Sequence, residues 1–425
     1  MRHRPSIRLR PMRVVLLFSA VAALFAGVLV GTSERAAAAP VKPVVNGAVF
    51  NDPTGTADQQ TAVFTQLIRL IDATPAGETI RGSIYELEDM DVADALLAAH
   101  ERGVDVKLIV DQATLEGDDQ GQRPVWDALS AADTGLGTDD SKASYIVACN
   151  DQFPDTRRGC LAAPPPNPSY NHNKYFLFSK IGAFEDGTSY SDVVFQSSSN
   201  LNDWYKEVTY NDAVTFVDPT VYAGYVKEHD DERAARYKAA GNMKYYWSTE
   251  TGSTYRAFFF PRGDSDYDNP ATDTMVNILK DMVCTYTGSD GAEHTTELRV
   301  AMFQFLESRK QLADALAALA KEGCAIEVID SQTDSTIQSV LNKAGIPNTV
   351  CSYDYQGNNI RTHTKFMIVN GKFGEDTTPR VYTGSHNWTG SALRSADEAM
   401  LRIASEDYYS QYRSFFDKLS AACGA

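Results

Sequence analysis

The chain has 425 residues, with 39 Lys or Arg against 56 Asp or Glu and a formal charge of −17 at pH 7. Nonspecific nucleic-acid binding draws its affinity from Lys and Arg contacts with phosphates, so this balance counts against a DNA- or RNA-binding protein. The length exceeds what one hydrophobic core usually supports, which predicts two domains or two fused halves.

The first residues read as a leader. Arg2, Arg4, Arg8, Arg10 and Arg13 precede an apolar run from Val14 to Val30, and Ala36-Ala37-Ala38-Ala39 supplies small residues for cleavage. This is the pattern of a bacterial secretory signal peptide removed near Ala39, and it predicts a secreted protein. A retained anchor is the alternative, although the run is near the lower limit for a membrane span. Loss of residues 1–39 leaves 33 basic and 55 acidic residues, a charge of −22, with no basic run longer than a pair such as Arg157-Arg158. Such acidity also suits the solubility of a secreted protein.

Beyond the leader the chain reads as two similar halves, 40–245 and 246–425. In the first, a strand at 48–50 precedes a helix at 59–71, then a strand at 79–85. Ala93-Asp94-Ala95-Leu96-Leu97-Ala98-Ala99 comes next, with apolar residues at helical spacing, and stops at Gly103, as a helix C-terminus should. A strand at 104–110 completes the unit. The second half echoes this order: a strand at 258–260, a helix at 273–282, a strand at 298–305, then Ala313-Asp314-Ala315-Leu316-Ala317-Ala318-Leu319 ending at Gly323, then a strand at 325–329. Strand–helix–strand with a short return predicts βαβ units, hence an α/β fold with a mixed sheet flanked by helices in each half. Helices at 221–240 and 406–419 close the halves, which meet around 241–253.

The halves differ mainly between residues 112 and 171, a polar, turn-rich stretch with Gly117-Asp118-Asp119 and Pro164-Pro165-Pro166-Asn167-Pro168. A loop of this size is usually functional, so it reads as a lid or substrate-selecting rim over the strand that begins near His172; a decoration pinned by a disulfide is the alternative. The six Cys include no CxxC pair, and an exported context favours disulfides over zinc. The expected pairs are Cys149–Cys160, Cys284–Cys324 and Cys351–Cys423.

Chemistry concentrates in two matching stretches. His172-Asn173-Lys174 leads into the apolar run Tyr175-Phe176-Leu177-Phe178, and a second strand, Asp192-Val193-Val194-Phe195, ends in Ser197-Ser198-Ser199-Asn200. His363-Thr364-Lys365 leads into Phe366-Met367-Ile368-Val369, and Arg380-Val381-Tyr382-Thr383 ends in Gly384-Ser385-His386-Asn387. Strand side chains alternate faces, so the His and Lys of each HxK share one face. A neutral imidazole beside a cation suits attack on an anionic phosphoryl group, and the Ser and Asn of each turn are donors that could hold its oxygens. Packing alone does not account for the pair, since buried positions rarely want Lys.

The paired HxK strands with their Ser-x-Asn turns resemble the phospholipase D superfamily, over both halves of the chain. The resemblance implies two halves packed about a pseudo-two-fold, with both HxK strands facing one site at their interface. It implies His172 as the nucleophile that forms a phosphohistidine, and His363 as the general acid and base. Lys174 and Lys365, with Asn200, Asn387, Ser198 and Ser385, would bind the nonbridging oxygens. One departure is plain: where the family motif has Asp, this chain has Ser179 and Asn370.

Each catalytic histidine also needs a carboxylate on its far nitrogen to fix tautomer and orientation. Glu207 or Asp212 could serve in the first half, and Asp397 or Glu398 in the second. Aligning the closing strands 213–217 and 399–403 pairs Asp212 with Glu398, which makes these two the expected partners. Trp204, Tyr205 and Trp388 lie just past the Asn turns and read as an apolar rim or as core. His386 reads as positional, and His100, His229 and His294 have no partner pattern. No HExxH or clustered carboxylates occur, so neither metal nor cofactor is expected.

The first functional reading is a phosphoric diester hydrolase of phospholipase D type. It would release phosphatidic acid from glycerophospholipids such as phosphatidylcholine, with transfer to alcohols as a side reaction. It would act as a monomer in transient contact with a membrane surface. A nuclease on the same scaffold is the second reading, and a noncatalytic binding protein, suggested by Ser179 and Asn370, is the third.

Overall fold

The computed structural model describes residues 40–116, 122–163, 169–251, 254–263 and 266–424. The expected leader, the Gly117-Asp118-Asp119 turn and the proline run at 164–168 lie outside the described residues. Residues 39–425 form one compact unit.

Two mixed sheets build that unit. In the first, the strands run Gly47–Phe50, Asp212–Val217, Ser189–Ser197, Lys174–Gly182, Thr79–Ile84, Asp105–Val110 and Tyr145–Ala148 from edge to edge. In the second, next to the short strand Trp247–Ser248, the order is Tyr255–Phe260, Ala396–Ala404, Arg380–Gly384, Lys365–Asn370, Glu297–Phe305, Ala325–Thr333 and Asn348–Val350. Strand for strand the two orders match. So do the directions, with the last three strands of each parallel and the rest antiparallel. The expected repeat is thus a repeat of topology. The helices Met90–Glu101 and Lys310–Lys321 are the crossovers that parallel neighbours require.

The apolar runs after each HxK supply both faces of their sheets. Phe176 and Phe178 face a core shared with the helices Ala62–Asp72 and Met90–Glu101, while Tyr175 and Leu177 face the other way. Met367 and Val369 likewise pack with the helix Lys310–Lys321, and Phe366 and Ile368 point to the opposite side. The two opposite sides meet in one shared core. The closing helices Pro219–Ala235 and Glu406–Cys423 lie within it, with Tyr225 edge-on to Phe259 and Tyr412 edge-on to Phe366, each pair 5.0 Å apart. Each fully buried side chain of this kind contributes about 1.5–3 kcal/mol, so the halves are held by a core rather than by a linker.

Some expected elements change shape. The helix expected at 59–71 is broken at Thr61, into Ala57–Gln60, capped by Thr56 and Gln59, and Ala62–Asp72. The helix expected at 273–282 is only Thr274–Leu279: the Asp273 carboxylate caps its start while gripping buried Arg309, and Met282–Val283 is drawn into a short strand paired with Lys372–Phe373. The helix expected at 221–240 runs Pro219–Ala235. A hairpin of Ser352–Tyr355 and Asn358–Thr362 had no strong sequence signal. All three expected disulfides form, and no described helix is long and apolar enough to cross a membrane.

Candidate active site

The backbone entering each HxK pairs with the other half. Tyr170–Asn171 lies parallel to Ala396–Asp397, and the His172 N–H donates to Asp397 O at 2.9 Å. Asn358–Thr362 lies parallel to Thr209–Tyr210, and the His363 N–H donates to Tyr210 O at 2.8 Å. This exchange carries both imidazoles into one cavity of about 450 Å³, which Asn200, Asn387 and Glu398 also line.

Each imidazole is held through Nδ1 by a group from the opposite half. His172 Nδ1 lies 2.9 Å from Glu398 Oε1, as expected for that carboxylate. His363 Nδ1 lies 3.0 Å from Asn211 Oδ1. The expected partner, Asp212, turns beneath the site instead: its carboxylate accepts from the hydroxyls of Thr364, Thr383 and Tyr412. The reason is a one-residue difference in register. Ser197 pairs with Ala213, whereas the corresponding Gly384 pairs with Met400. The structural counterpart of Glu398 is therefore Asn211, and that of Asp212 is Ala399.

The lysines lie under the histidines. Lys174 is buried, with Nζ donating to His172 O at 2.8 Å and sitting 5.4 Å from the Tyr85 ring centre. Lys365 is buried, with Nζ 3.0 and 3.1 Å from the two ring nitrogens of His363 and 5.2 Å from the Phe303 ring centre. Burial dominates the proton affinities. It brings Lys174 down to about 7 against the pull of Glu398, and holds Lys365 well below the usual ammonium range, with Lys174 adding to the effect. His172 and His363 are both held well below the usual imidazole value, first by burial and then by the neighbouring lysines. Burial pushes Glu398 up to about 8, opposed by Lys174 and by the Ser385 hydroxyl. His172 keeps 18% of its side chain exposed, so an anion entering the cavity reaches it directly.

The two turns divide their labour. Asn200 and Asn387 face the cavity, and their side-chain oxygens have no partner among the described residues. Ser198 and Ser385, expected to bind phosphate oxygens, are fully buried. Their hydroxyls go to Asn211 and Glu398, and their carbonyls to His363 and His172. They set the histidine partners and do not reach the cavity. Gly384 adopts φ +138°, and a Cβ there would meet Ala399 O at 2.3 Å, so this turn admits no side chain.

The sequence matches the profile of the family described as cardiolipin synthase, PLD-like domain, over residues 67–231 and 291–420. This chain belongs to the phospholipase D-like family. Among solved structures, phosphatidylserine synthase from Haemophilus influenzae Rd KW20 superposes with a TM-score of 0.57 at 13% identity, over 91% of this chain and 88% of the synthase. Polyphosphate kinase from Porphyromonas gingivalis gives 0.48 at 14% identity, over 88% of this chain and 50% of the kinase, so the chain spans half of that protein's length. Yeast tyrosyl-DNA phosphodiesterase gives 0.46 at 10% identity, over 85% and 90%. The synthase shares the fold. No curated protein sequence matches the chain.

Two positions set this phospholipase D-like chain apart. Ser179 Oγ donates to Glu78 Oε2 at 2.7 Å, and Asn370 is exposed, opposite Glu297. Each is five residues along its strand from the motif lysine, about 16 Å away at strand rise. Neither residue lines the cavity.

Several cavity residues had no individual sequence signal. Tyr85 packs edge-on against His172 and Phe303 lies tilted against His363, with ring centres 5.3 and 4.5 Å apart, and Glu86 and Gln304 come directly after them. Their signal was positional: Tyr85 and Glu86 lie just past the strand Thr79–Ile84, and Phe303 and Gln304 at the carboxyl end of the equivalent strand Glu297–Phe305, where α/β sheets place ligands. Of the aromatics after the turns, Tyr205 lines the cavity, Trp204 is exposed 6.2 Å from the His363 ring, and Trp388 is core against Phe305. His386 is buried against the Phe260 ring, 4.4 Å away, which brings it down to about 3. His229 is buried near Lys107 O, and His294 is half-buried beside Asp290.

Proposed function

We propose that the chain is a secreted phosphodiesterase of phospholipase D type. It hydrolyses glycerophospholipids such as phosphatidylcholine to phosphatidic acid and free headgroup, and transfers the phosphatidyl group to other alcohols when they are supplied. The observation that carries this reading is the convergence of His172 and His363 on one cavity, each held by the opposite half. Family membership supports phosphodiester chemistry in general. Three disulfides and the Arg-then-apolar leader support an oxidising, exported setting.

The asymmetry of the far-nitrogen partners supports distinct roles. Nε2 of neutral His172 attacks phosphorus while the bond from phosphorus to the headgroup oxygen breaks. The imidazolium left by the new N–P bond is stabilised by the Glu398 carboxylate on Nδ1. The bound phosphodiester anion favours the protonated form of His363, whose Nε2–H goes to the leaving oxygen; the neutral ring then takes a proton from the water or alcohol that attacks phosphorus and releases His172. Asn211 accepts from Nδ1–H without adding a negative charge, which keeps His363 a stronger acid than a carboxylate partner would allow. Lys174, Lys365 and the amides of Asn200 and Asn387 hold the nonbridging oxygens as charge develops, each such donor lowering the barrier by about 3–4 kcal/mol.

The test offers the protein, with chelator present, phosphatidylcholine plus ethanol and, separately, single- and double-stranded nucleic acid. Phosphatidic acid and phosphatidylethanol, both absent with His172→Ala, are expected. Cleaved nucleic acid beside intact lipid would make the protein a nuclease, and inactivity on every diester would make it a binding protein.

A further inference from the structure

Asp397 precedes Glu398 on the strand Ala396–Ala404, yet it faces away from the histidine. Its carboxylate is fully buried and accepts from three consecutive backbone N–H groups of the other half: Cys160 at 2.6 Å, Leu161 at 3.0 Å and Ala162 at 2.7 Å. The disulfide Cys149–Cys160 ties this turn to the strand Tyr145–Ala148, and Ser169 Oγ closes it from the other side by accepting from the Gly159 N–H. Gly159 is in close approach: a Cβ there would lie 2.8 Å from Asp397 Oδ2 and 2.7 Å from Tyr170 O. From the same clamped segment the chain runs to Tyr170–Asn171, whose parallel pairing with Ala396–Asp397 delivers His172 opposite Glu398.

Among the described residues the other half shows no such device. The structural counterpart of Asp397 is Tyr210, whose hydroxyl meets Tyr353 on the hairpin and grips no backbone turn. The clamp therefore belongs to one histidine alone, and to the long stretch between 112 and 171 by which the halves differ. Because the side chains of a strand alternate, a slip of one residue between Tyr170–Asn171 and Ala396–Asp397 would put His172 opposite Asp397 or Ala399 and away from Glu398.

We propose that Asp397 is a positioning residue for His172: by clamping the disulfide-tied turn Cys160–Ala162 it fixes the register in which the imidazole meets Glu398. The proposal rests on the functional reading of His172 above. A buried carboxylate on three N–H donors is replaced poorly by an amide, since one face of the amide presents N–H to N–H. Misplacement of a reacting group by about 1 Å costs on the order of 100-fold in rate.

The experiment compares the full chain with Asp397→Asn and, as a second route to the same clamp, Gly159→Ala. Two readouts are taken: turnover of a phosphodiester, and the His172 imidazole followed by NMR, assigned with His172→Gln. Both variants are expected to lose about 100-fold in kcat with KM within twofold. Both should lose the hydrogen-bonded Nδ1–H signal of His172, while the His363 signals and cooperative melting persist. An unchanged His172 signal and rate in folded Asp397→Asn would overturn the proposal. If Asp397→Asn does not fold, Gly159→Ala decides by the same criteria. If the parent chain turns over no diester, the functional reading fails while the NMR comparison still decides the role of Asp397.

Discussion

Lys174 is the residue whose charge the site controls most openly. Burial brings it to about 7, so it is half-protonated near neutrality, and a phosphate anion placed beside it favours the ammonium and raises its pKa. A group whose pKa rises on binding takes up a proton, so affinity is level below about pH 7 and falls above it, by at most about tenfold per pH unit for one proton. A phosphonate monoester, singly charged across this range, is the suitable probe. Calorimetry in buffers of different ionisation heat should show proton uptake above pH 7 and none well below it. Equal heats at high pH would mean that Lys174 is already charged in the free site. The two HxK pairs, with Asn200 and Asn387, were legible from residue type and spacing. Asn211 was not, because an amide carries no charge to draw attention and Asp212 stands next to it.

At the scale of elements, the register of two strands decides which of these neighbours meets His363. Strand identity shows as an apolar run, but the pairing that puts Ser197 beside Ala213 and Gly384 beside Met400 is set by backbone bonds that leave no residue signature. The consequence is a separation of roles between Asp212 and Glu398. Asp212 joins the strand Asp212–Val217 to the second motif strand, its hairpin partner and the helix Glu406–Cys423 through three hydroxyls. Asp212→Asn should therefore cost about 3 kcal/mol of stability and lower Tm. Glu398→Gln should leave Tm within a few degrees and cost on the order of 100-fold in rate. Thermal melts and kcat for both variants check this pair of outcomes; an Asp212→Asn protein with normal Tm and no activity would return Asp212 to the histidine. The interrupted helix at Thr61 and the short helix after Asp273 escaped sequence reading for a related reason. In both, local backbone geometry overrides a continuous apolar pattern: the chain breaks at Thr61 between two helices, and Met282–Val283 leaves the helix to pair with Lys372–Phe373.

At the scale of the molecule, the duplication is what makes the site. Neither half contains a complete one: His172 needs Glu398 and Ser385, and His363 needs Asn211 and Ser198. The repeat of helices and HxK strands in the sequence foretold two similar halves. That each half would lend its closing strand to the other's histidine comes only from the three-dimensional pairing of Tyr170–Asn171 and Asn358–Thr362 across the interface. In the proposed mechanism this shared cavity forms a phosphohistidine on His172, with His363 moving the proton. Rapid quench with a phosphorus-labelled diester, followed by mapping of the acid-labile label, is the decisive experiment. Label is expected on His172 in the parent chain and none in His172→Ala. Label on His363 with His172 unmodified would reverse the roles, and turnover without any protein-bound phosphorus would contradict the covalent mechanism.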